Sequence, residues 1–292
     1  MAFFATCAFG LAVASKTPHV AQVQVVAATR PLKMLPRGGR VIFPAYRVVA
    51  FYGAADTPAM GVLGEGSPDH QALRLAKQAQ AYASLGRPIL PAFELIATVA
   101  SYAPGDGSYS LSSGDETIAR YLAAARRARA LLVLDIQPGR GDFMPQVKRL
   151  TRFLAQPDVG LALDPEWKMG PDEIPAQELG HTDAATINEV SAYLAEIVRR
   201  HNLPQKLLIV HEFTQYMVED KRKVIPRRGL AITFHVDGFG SRAVKISVYN
   251  DLCKSSPRYF KGIKLFYEQD IDMFSAREVV SLKPAPDLVT YQ

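Results

Sequence analysis

From residue 47 onwards, short apolar runs alternate with longer segments in which apolar residues recur at helical spacing. The short runs are rich in Val, Ile, Leu and Phe and end in polar residues, a pattern that is typical of parallel strands covered on both faces. They predict eight strands, which we place at 47–53, 88–95, 131–137, 161–167, 206–213, 230–237, 262–267 and 287–291.

Helix start signals follow most of the predicted strands. Ser67-Pro68-Asp69 combines an N-cap residue, a proline at the first helical position and an acidic residue in the first turn. It predicts a helix that runs to about Leu85, and Gly86 fits the position just beyond its end. Further helices are predicted at about 115–130, 143–155 and 183–201, from about 241 to 254, and after Ser275.

Eight strands that alternate with helices predict an α/β fold, a (β/α)8 TIM barrel formed by residues 47–292. The sequence stops at the eighth strand, so we expect the final helix to be missing. Residues 15–46 contain Pro and Gly and little periodicity, and we expect a linker or N-terminal strap that covers the resulting gap. An open doubly wound sheet is less favoured because no glycine-rich phosphate turn follows the first strand.

The first fourteen residues are almost uniformly apolar but too few to span a bilayer as a helix. Their length fits the core of a signal peptide, and Ala12-Val13-Ala14 fits a cleavage site. The basic segment that normally comes first is missing, so a truncated signal peptide is predicted at 1–14. We therefore expect a secreted or cell-envelope-associated protein, and no other segment is a candidate membrane span.

Composition adds limits to this picture. The 292 residues are 48% hydrophobic and 21% charged, as in an ordinary globular protein. The net charge is +6, but the basic residues are scattered and lack interleaved aromatic side chains, so we expect no nucleic-acid partner. Cys7 and Cys253 are the only cysteines, and Cys253 is expected to be a small apolar residue on a helix. We expect a monomer.

Polar residues collect at the carboxyl ends of the predicted strands, which is where a (β/α)8 barrel builds its active site. Because side chains alternate along a strand, His211 and Glu212 must face opposite ways, and we expect Glu212 to face the helices. Lys264 is expected to pair with an acid, since an unpaired buried charge is costly. The candidate substrate-binding residues are Tyr52, Glu94, Asp135, Gln137, Trp167, His211, Asp237 and Lys264.

Asp164 and Glu166 end the fourth predicted strand and are the candidate catalytic residues. Two carboxyl groups on one strand face, with Cα atoms about 6.5–7 Å apart, can raise the pKa of one of them. Cleavage of a glycosidic bond needs one acid protonated and one ionised. Glu166 is the better candidate for the proton donor and Asp164 for the assisting group, although the two acids could also form a purely structural pair.

The Asp164-x-Glu166 ending resembles the D-x-E motif of chitinase-like and Chalaropsis-type lysozyme barrels, and this resemblance implies that Glu166 is the acid and Asp164 its assistant. The longer D-x-x-D-x-D-x-E motif of chitinases is not present, because Ala162 replaces one of its acids. Elsewhere, segments such as Phe51-Tyr52-Gly53 and Asp237-Gly238-Phe239-Gly240 resemble exported actinobacterial barrel proteins of unassigned activity, which implies the fold and export but no reaction.

The sequence therefore favours a secreted glycoside hydrolase that acts on a polysaccharide or cell-wall glycan and needs neither a metal nor another cofactor. A metal-dependent barrel isomerase or hydrolase is one alternative, with Glu94, Asp135, His211 and Asp237 as ligands. Against a zinc site, the sequence contains no H-x-H or H-E-x-x-H spacing. A barrel that binds glycan or a cell-wall partner without catalysis is the other alternative.

Overall fold

The computed structural model describes residues 1–6, 10, 32–55 and 57–292. Residues 1–31 and 32–292 form two compact units, and the barrel lies in the second. Half of the predicted signal peptide, residues 7–9 and 11–14, lies outside the described residues, as do residues 15–31 of the predicted linker. Within the described ranges, no helix has the length and apolar character needed to cross a membrane.

Eight parallel strands close into a barrel, which confirms the predicted (β/α)8 TIM-barrel fold. Each strand pairs with its neighbours in the chain, and the last strand pairs with the first to close the barrel. All eight predicted strands are present, although several of their ends shift by a few residues. The strands are β1 (Arg47–Gly53), β2 (Ile89–Ala100), β3 (Leu131–Ile136), β4 (Val159–Leu163), β5 (Lys206–Glu212), β6 (Leu230–Val236), β7 (Phe260–Leu265) and β8 (Leu288–Tyr291).

Helices surround most of the barrel, and four of them begin at a side-chain cap. The Ser67, Asp183, Ser241 and Ser275 side chains each accept a hydrogen bond from a backbone N–H in the first turn. The helices are α1 (Pro68–Gln80), α2 (Asp115–Arg127), α3 (Phe143–Arg149), α4 (Thr151–Leu154), α5 (Ala184–Arg200), α6 (Arg242–Ser255) and α7 (Ala276–Ser281). Between β5 and β6, residues 213–229 form only a short strand and one 3-10 turn.

The described part of the predicted strap, residues 32–46, closes the amino end of the barrel. Ile42 and Phe43 are buried among inward-facing strand residues, and the Phe43 ring packs 4.9 Å from the ring of Phe260 at the start of β7. The Gln205 side chain accepts hydrogen bonds from both of their backbone N–H groups. The strap was expected to cover the gap left by the missing final helix, but its apolar side chains instead fill the barrel opening.

The barrel interior is divided along its axis. Its amino-terminal half is apolar, with small and branched side chains from the strands packed against the strap. Its carboxyl-terminal half contains buried charged and polar side chains from all eight strands or the residues that follow them. These are Tyr52, Glu94, Asp135, Gln137, Asp164, His211, His235, Asp237, Lys264 and Thr290. The apolar half supports this polar layer from below.

Candidate active site

The fourth strand ends earlier than the sequence pattern predicts, and this changes how its two acids are presented. β4 stops at Leu163, and Pro165–Trp167 forms a 3-10 turn that begins after Asp164. Proline has no N–H to continue the strand pairing, and its fixed φ favours a turn. Glu166 therefore does not share a strand face with Asp164. Asp164 is buried, whereas Glu166 is half-buried on the turn above it.

A cavity of about 550 Å³ opens at the carboxyl ends of the strands and contains both acids. Seven of the ten predicted site residues contribute to its lining, namely Tyr52, Gln137, Asp164, Glu166, Trp167, Asp237 and Lys264. The other three, Glu94, Asp135 and His211, are not in the lining and are at most 1% exposed. The structure thus brings the predicted residues together as a cavity wall and a buried layer.

His211 links two carboxylates in the buried layer. Its Nε2 atom forms a 3.0 Å hydrogen bond with Oε1 of Glu94. Its Nδ1 atom lies 2.9 Å from Oδ2 of Asp237, close enough for an ion pair but without the angle of a good hydrogen bond. Lys264 donates a 3.0 Å hydrogen bond to the same Asp237 oxygen, which confirms the prediction that Lys264 pairs with an acid.

The pKa shifts of this layer follow from these contacts. Burial alone would raise the pKa of Glu94, but the hydrogen bond and positive charge of His211 outweigh it and leave the pKa lowered. The pKa of Asp237 is also lowered, since Lys264 and His211 together overcome the effect of burial. Burial opposes the charged form of His211, yet its contacts with Asp237 and Glu94 raise its pKa well above 6.5. Glu94 and Asp237 are therefore ionised at neutral pH, and His211 is protonated.

Tyr52, Asp135 and Gln137 form a second chain of hydrogen bonds that leads to Asp164. Tyr52 donates to Oδ2 of Asp135 at 2.9 Å, and the Gln137 amide donates to the Tyr52 oxygen at 3.1 Å. The same amide nitrogen lies 3.5 Å from Oδ2 of Asp164, at the limit of a hydrogen bond. The backbone N–H of Ala100 donates to the Gln137 oxygen, which fixes the orientation of the amide.

Three carboxyl groups of the site are shifted in the opposite direction from Glu94 and Asp237. Burial raises the pKa of Asp164 well above its usual range, and the neighbouring acids Asp135 and Glu166 add to this. Burial, assisted by the charge of Asp237, raises the pKa of Glu166 to about 7. Burial also raises the pKa of Asp135 to about 6. The cavity therefore combines carboxyl groups that retain protons with others that are ionised.

Glu212 lies on the outer side of the barrel wall, as side-chain alternation along β5 predicts. Its Oε2 atom accepts a 2.6 Å hydrogen bond from Lys221, which belongs to the 3-10 turn between β5 and β6. Burial raises the pKa of Glu212 to about 7 despite this contact. Both side chains are buried, so this pair belongs to the scaffold and not to the cavity.

Two residues of the buried layer were not among the predicted site residues. Thr290 donates a 3.0 Å hydrogen bond to Oε2 of Glu94. His235 packs edge-on to His211 with ring centroids 5.1 Å apart, and burial next to that charged ring lowers its pKa to about 3. Alternation along β6 places His235 on the same face as Asp237, so the sequence did contain a signal for it.

Aromatic side chains form much of the remaining cavity wall. Phe213 and Phe239 follow β5 and β6, and Phe266 follows β7. Together with Trp167, they line the same cavity as Asp164. In the part of the chain that the structure describes, no group of three or more His, Cys, Asp or Glu side chains is arranged to hold a metal ion.

No protein-family model and no curated protein matches this chain. A spore coat polysaccharide biosynthesis protein from Bacillus subtilis matches at 12% identity and a TM-score of 0.43, over 85% of this chain and 60% of its own. A GH5-4 endoglucanase from Clostridium longisporum matches at 9% identity and a TM-score of 0.37, over 74% of this chain and 75% of its own. A dihydropteroate synthase from Burkholderia cenocepacia matches at 15% identity and a TM-score of 0.38, over 85% of this chain and 86% of its own. These similarities concern the fold and identify neither a family nor a reaction.

Proposed function

We propose that this protein is a glycoside hydrolase in which Glu166 is the general acid. The observation that carries the proposal is the state of Glu166, whose carboxyl group lines the cavity and has a pKa raised to about 7. A general acid is most effective when its pKa lies near the working pH, because it is then protonated and still able to release its proton. Glu166 meets this requirement at neutral pH.

The second carboxylate that this reaction needs is also present in the cavity. Asp237 is held ionised by Lys264 and His211, so it can stabilise the positive charge that develops on the sugar ring. Asp164 lies two residues before Glu166 in the chain and keeps its own proton in the free protein. The proposal thus assigns proton donation to Glu166, charge stabilisation to Asp237 and a supporting role to Asp164.

The cavity walls agree with a carbohydrate substrate. Trp167, Phe213 and Phe239 provide apolar ring faces beside hydrogen-bonding groups, the combination that a sugar ring needs for stacking and orientation. The D-x-E resemblance to chitinase-like and Chalaropsis-type lysozyme barrels supports the same assignment. We extend the proposal to a polysaccharide or cell-wall glycan as substrate and to export, for which the apolar start of the sequence is the basis.

Substitution of Glu166 by Gln tests the assignment, because it removes the acidic proton and keeps the shape of the side chain. In a screen of soluble glycans and peptidoglycan, we expect kcat/KM of the responsive substrate to fall by about 10²–10⁴-fold. Glu189→Gln is the matched control, since Glu189 is exposed on α5 far along the chain from the cavity residues. Full activity of Glu166→Gln would refute the role of Glu166.

The screen also separates the alternatives that the sequence left open. Hydrolysis that persists in EDTA supports acid–base chemistry, whereas hydrolysis that requires an added divalent ion would support the metal-dependent enzyme. Glycan binding without hydrolysis under any condition would support a binding protein. Against that last alternative, Lys264 neutralises Asp237 and is not paired with Asp164 or Glu166.

A further inference from the structure

One oxygen of Asp164 is buried at the cavity without a partner. Asp164 is 2% exposed and lines the cavity, and among the described residues its Oδ1 atom accepts no hydrogen bond. A buried polar atom without a partner loses the hydrogen bonds that water would give it, at a cost of about 1–3 kcal/mol. A donor from a ligand in the cavity that Asp164 lines would supply the missing hydrogen bond.

The described side chains around Asp164 contain more acids than positive charges. His211 contacts Glu94 and Asp237, and Lys264 contacts Asp237, so both cations are committed to two of the carboxylates. Of the remaining acids, Asp135 has its Oδ1 atom 4.0 Å from Nε2 of His211, whereas Asp164 and Glu166 form no ion pair with a described side chain. The groups that face Asp164 or share its network are Tyr52, Glu94, Asp135, Glu166, His211, Asp237 and Lys264.

The walls of the cavity favour one kind of cation. Rings of Trp167, Phe213, Phe239 and Phe266 line it, and an aromatic face attracts an organic ammonium group placed over it. Small divalent metal ions instead require several oxygen or nitrogen ligands, and the described residues form no such group. The cavity thus combines surplus carboxyl groups at its floor with aromatic walls.

We propose that the cavity binds a sugar that carries a free ammonium group, with this group directed at Oδ1 of Asp164 and one face of the ring against the aromatic wall. The inference rests on the proposed glycoside hydrolase function and specifies its substrate, an amino-sugar glycan in place of a neutral or acidic one. The binding itself does not depend on hydrolysis.

Binding of an ammonium group has a consequence for the protons of the site. Asp164 retains its proton in the free protein because burial opposes its ionisation. An ammonium group next to it would favour the ionised form, so the proton would leave to the solvent. The charges of the ammonium group and of Asp164 would then offset each other, so the pKa of Glu166 would stay raised. Substrate binding would therefore keep the proposed general acid in its active form.

The test uses the Glu166→Gln variant, in which hydrolysis should be blocked, and measures binding by titration calorimetry at pH 6. The ligands are trimers of β-1,4-linked glucosamine, N-acetylglucosamine and glucose. We expect the glucosamine trimer to bind about tenfold more tightly than the other two, the effect of one favourable charge interaction of about 1.4 kcal/mol. In two buffers that differ in ionisation enthalpy, we expect a net release of protons with the glucosamine trimer alone.

Two aspartate variants locate the interaction. Asp164→Asn keeps the shape of the side chain and should remove both the preference for the free amine and the proton release. Asp172→Asn, at an exposed position of the loop after the 3-10 turn, should retain both. Thermal unfolding checks that Asp164→Asn is folded. The number of protons released on binding is measured with Asp164 intact, so this second result stands even if Asp164→Asn does not fold.

Several results would overturn the inference. Equal or tighter binding of the acetylated or neutral trimer would do so, as would binding of the glucosamine trimer without proton release, or no binding of any trimer. Tight binding of Mg²⁺ or Ca²⁺ alone, with proton release, would replace the amino sugar by a metal ion. Hydrolysis of a neutral glycan without preference for the amine refutes only this inference, whereas amine binding by a chain that cleaves no glycan refutes only the proposed function.

Discussion

Replacement of His211 by Asn tests whether its charge holds the buried layer of the site together. The imidazolium lies 3.0 Å from Glu94 and 2.9 Å from Asp237, and all three side chains are buried. Lys264, at 3.0 Å, would still pair with Asp237 in the variant. Glu94 would retain only the hydrogen bond from Thr290, so its negative charge would be buried without a direct counter-charge.

The expected loss of stability follows from leaving one buried charge uncompensated. Removal of one partner from a buried ion pair costs about 3–5 kcal/mol, and the free energy of unfolding of a typical domain is about 5–15 kcal/mol. We therefore expect the variant to fold at pH 7 but to unfold at a much lower urea concentration. The double variant His211→Asn with Glu94→Gln should recover part of the loss, because the unpaired charge is then removed.

The pH dependence has a definite sign. In the native chain, the pKa of His211 is raised well above 6.5, so its stabilising charge is fully present below 6.5 and is lost only as the pH rises through the raised value. The pKa of Glu94 is lowered, and its contribution is lost only as the pH falls through that value. Without the imidazolium, burial should raise the pKa of Glu94 above its unfolded value. The variant should then gain stability relative to the native chain between pH 7 and pH 5.

Urea unfolding, followed by the fluorescence of Trp167, the single tryptophan, measures these differences. His201→Asn is the control, since His201 is exposed at the end of α5. A loss below about 1 kcal/mol at pH 7, the range of an exposed ion pair, would show that the layer is not held by this charge. A loss that stays constant between pH 7 and pH 5 would refute the assignment of the effect to Glu94.

Two further substitutions test the scaffold by urea unfolding. Lys221→Met leaves Glu212 buried without its partner and should lower the free energy of unfolding by about 3 kcal/mol at pH 8. The loss should be much smaller at pH 5, where Glu212 is protonated in the folded protein. Substitution of the exposed Lys223 by Met should change the free energy of unfolding little. Gly262→Ala would place a Cβ atom only 2.0 Å from Nδ1 of buried His235. A loss of about 1–3 kcal/mol is expected from this overpacking, whereas Gly114→Ala, which meets open space, should stay below about 1 kcal/mol.

The barrel could be predicted from the sequence because each strand is a local signal. Parallel strands covered on both faces must be apolar throughout, and β3, β5 and β6 show such runs between clear turn or helix signals. The helix starts at Ser67 and Ser275 were equally local, since a capping side chain lies within three residues of its partner.

Features that depend on contacts across the fold were predicted less well. The position of the strap follows from the fit of Ile42 and Phe43 into the barrel opening, which local periodicity does not encode. The pattern of alternation also missed that Pro165 ends the strand before Glu166. The partners of Glu94 are His211 and Thr290, which lie 117 and 196 residues away in the chain.

The charge state of the site depends entirely on such distant pairings. Asp135, Asp164 and Asp237 all follow or end apolar strands, and nothing in their local sequence distinguishes them. Contact with Lys264 and His211 lowers the pKa of Asp237, whereas burial raises the pKa values of Asp164 and Asp135. Asp164 therefore keeps its proton whereas Asp237 is ionised, and this difference follows from which strand ends meet across the barrel.

This division of charge explains how one barrel mouth could be both stable and reactive. The two cations compensate the acids Glu94 and Asp237, so the buried layer can exist without a ligand. Glu166 and Asp164 avoid the cost of uncompensated charge by retaining protons, and those protons are what acid catalysis needs. Stability and activity would then rest on different residues of one network. Loss of His211 should mainly lower the free energy of unfolding, whereas loss of the Glu166 proton should mainly lower kcat.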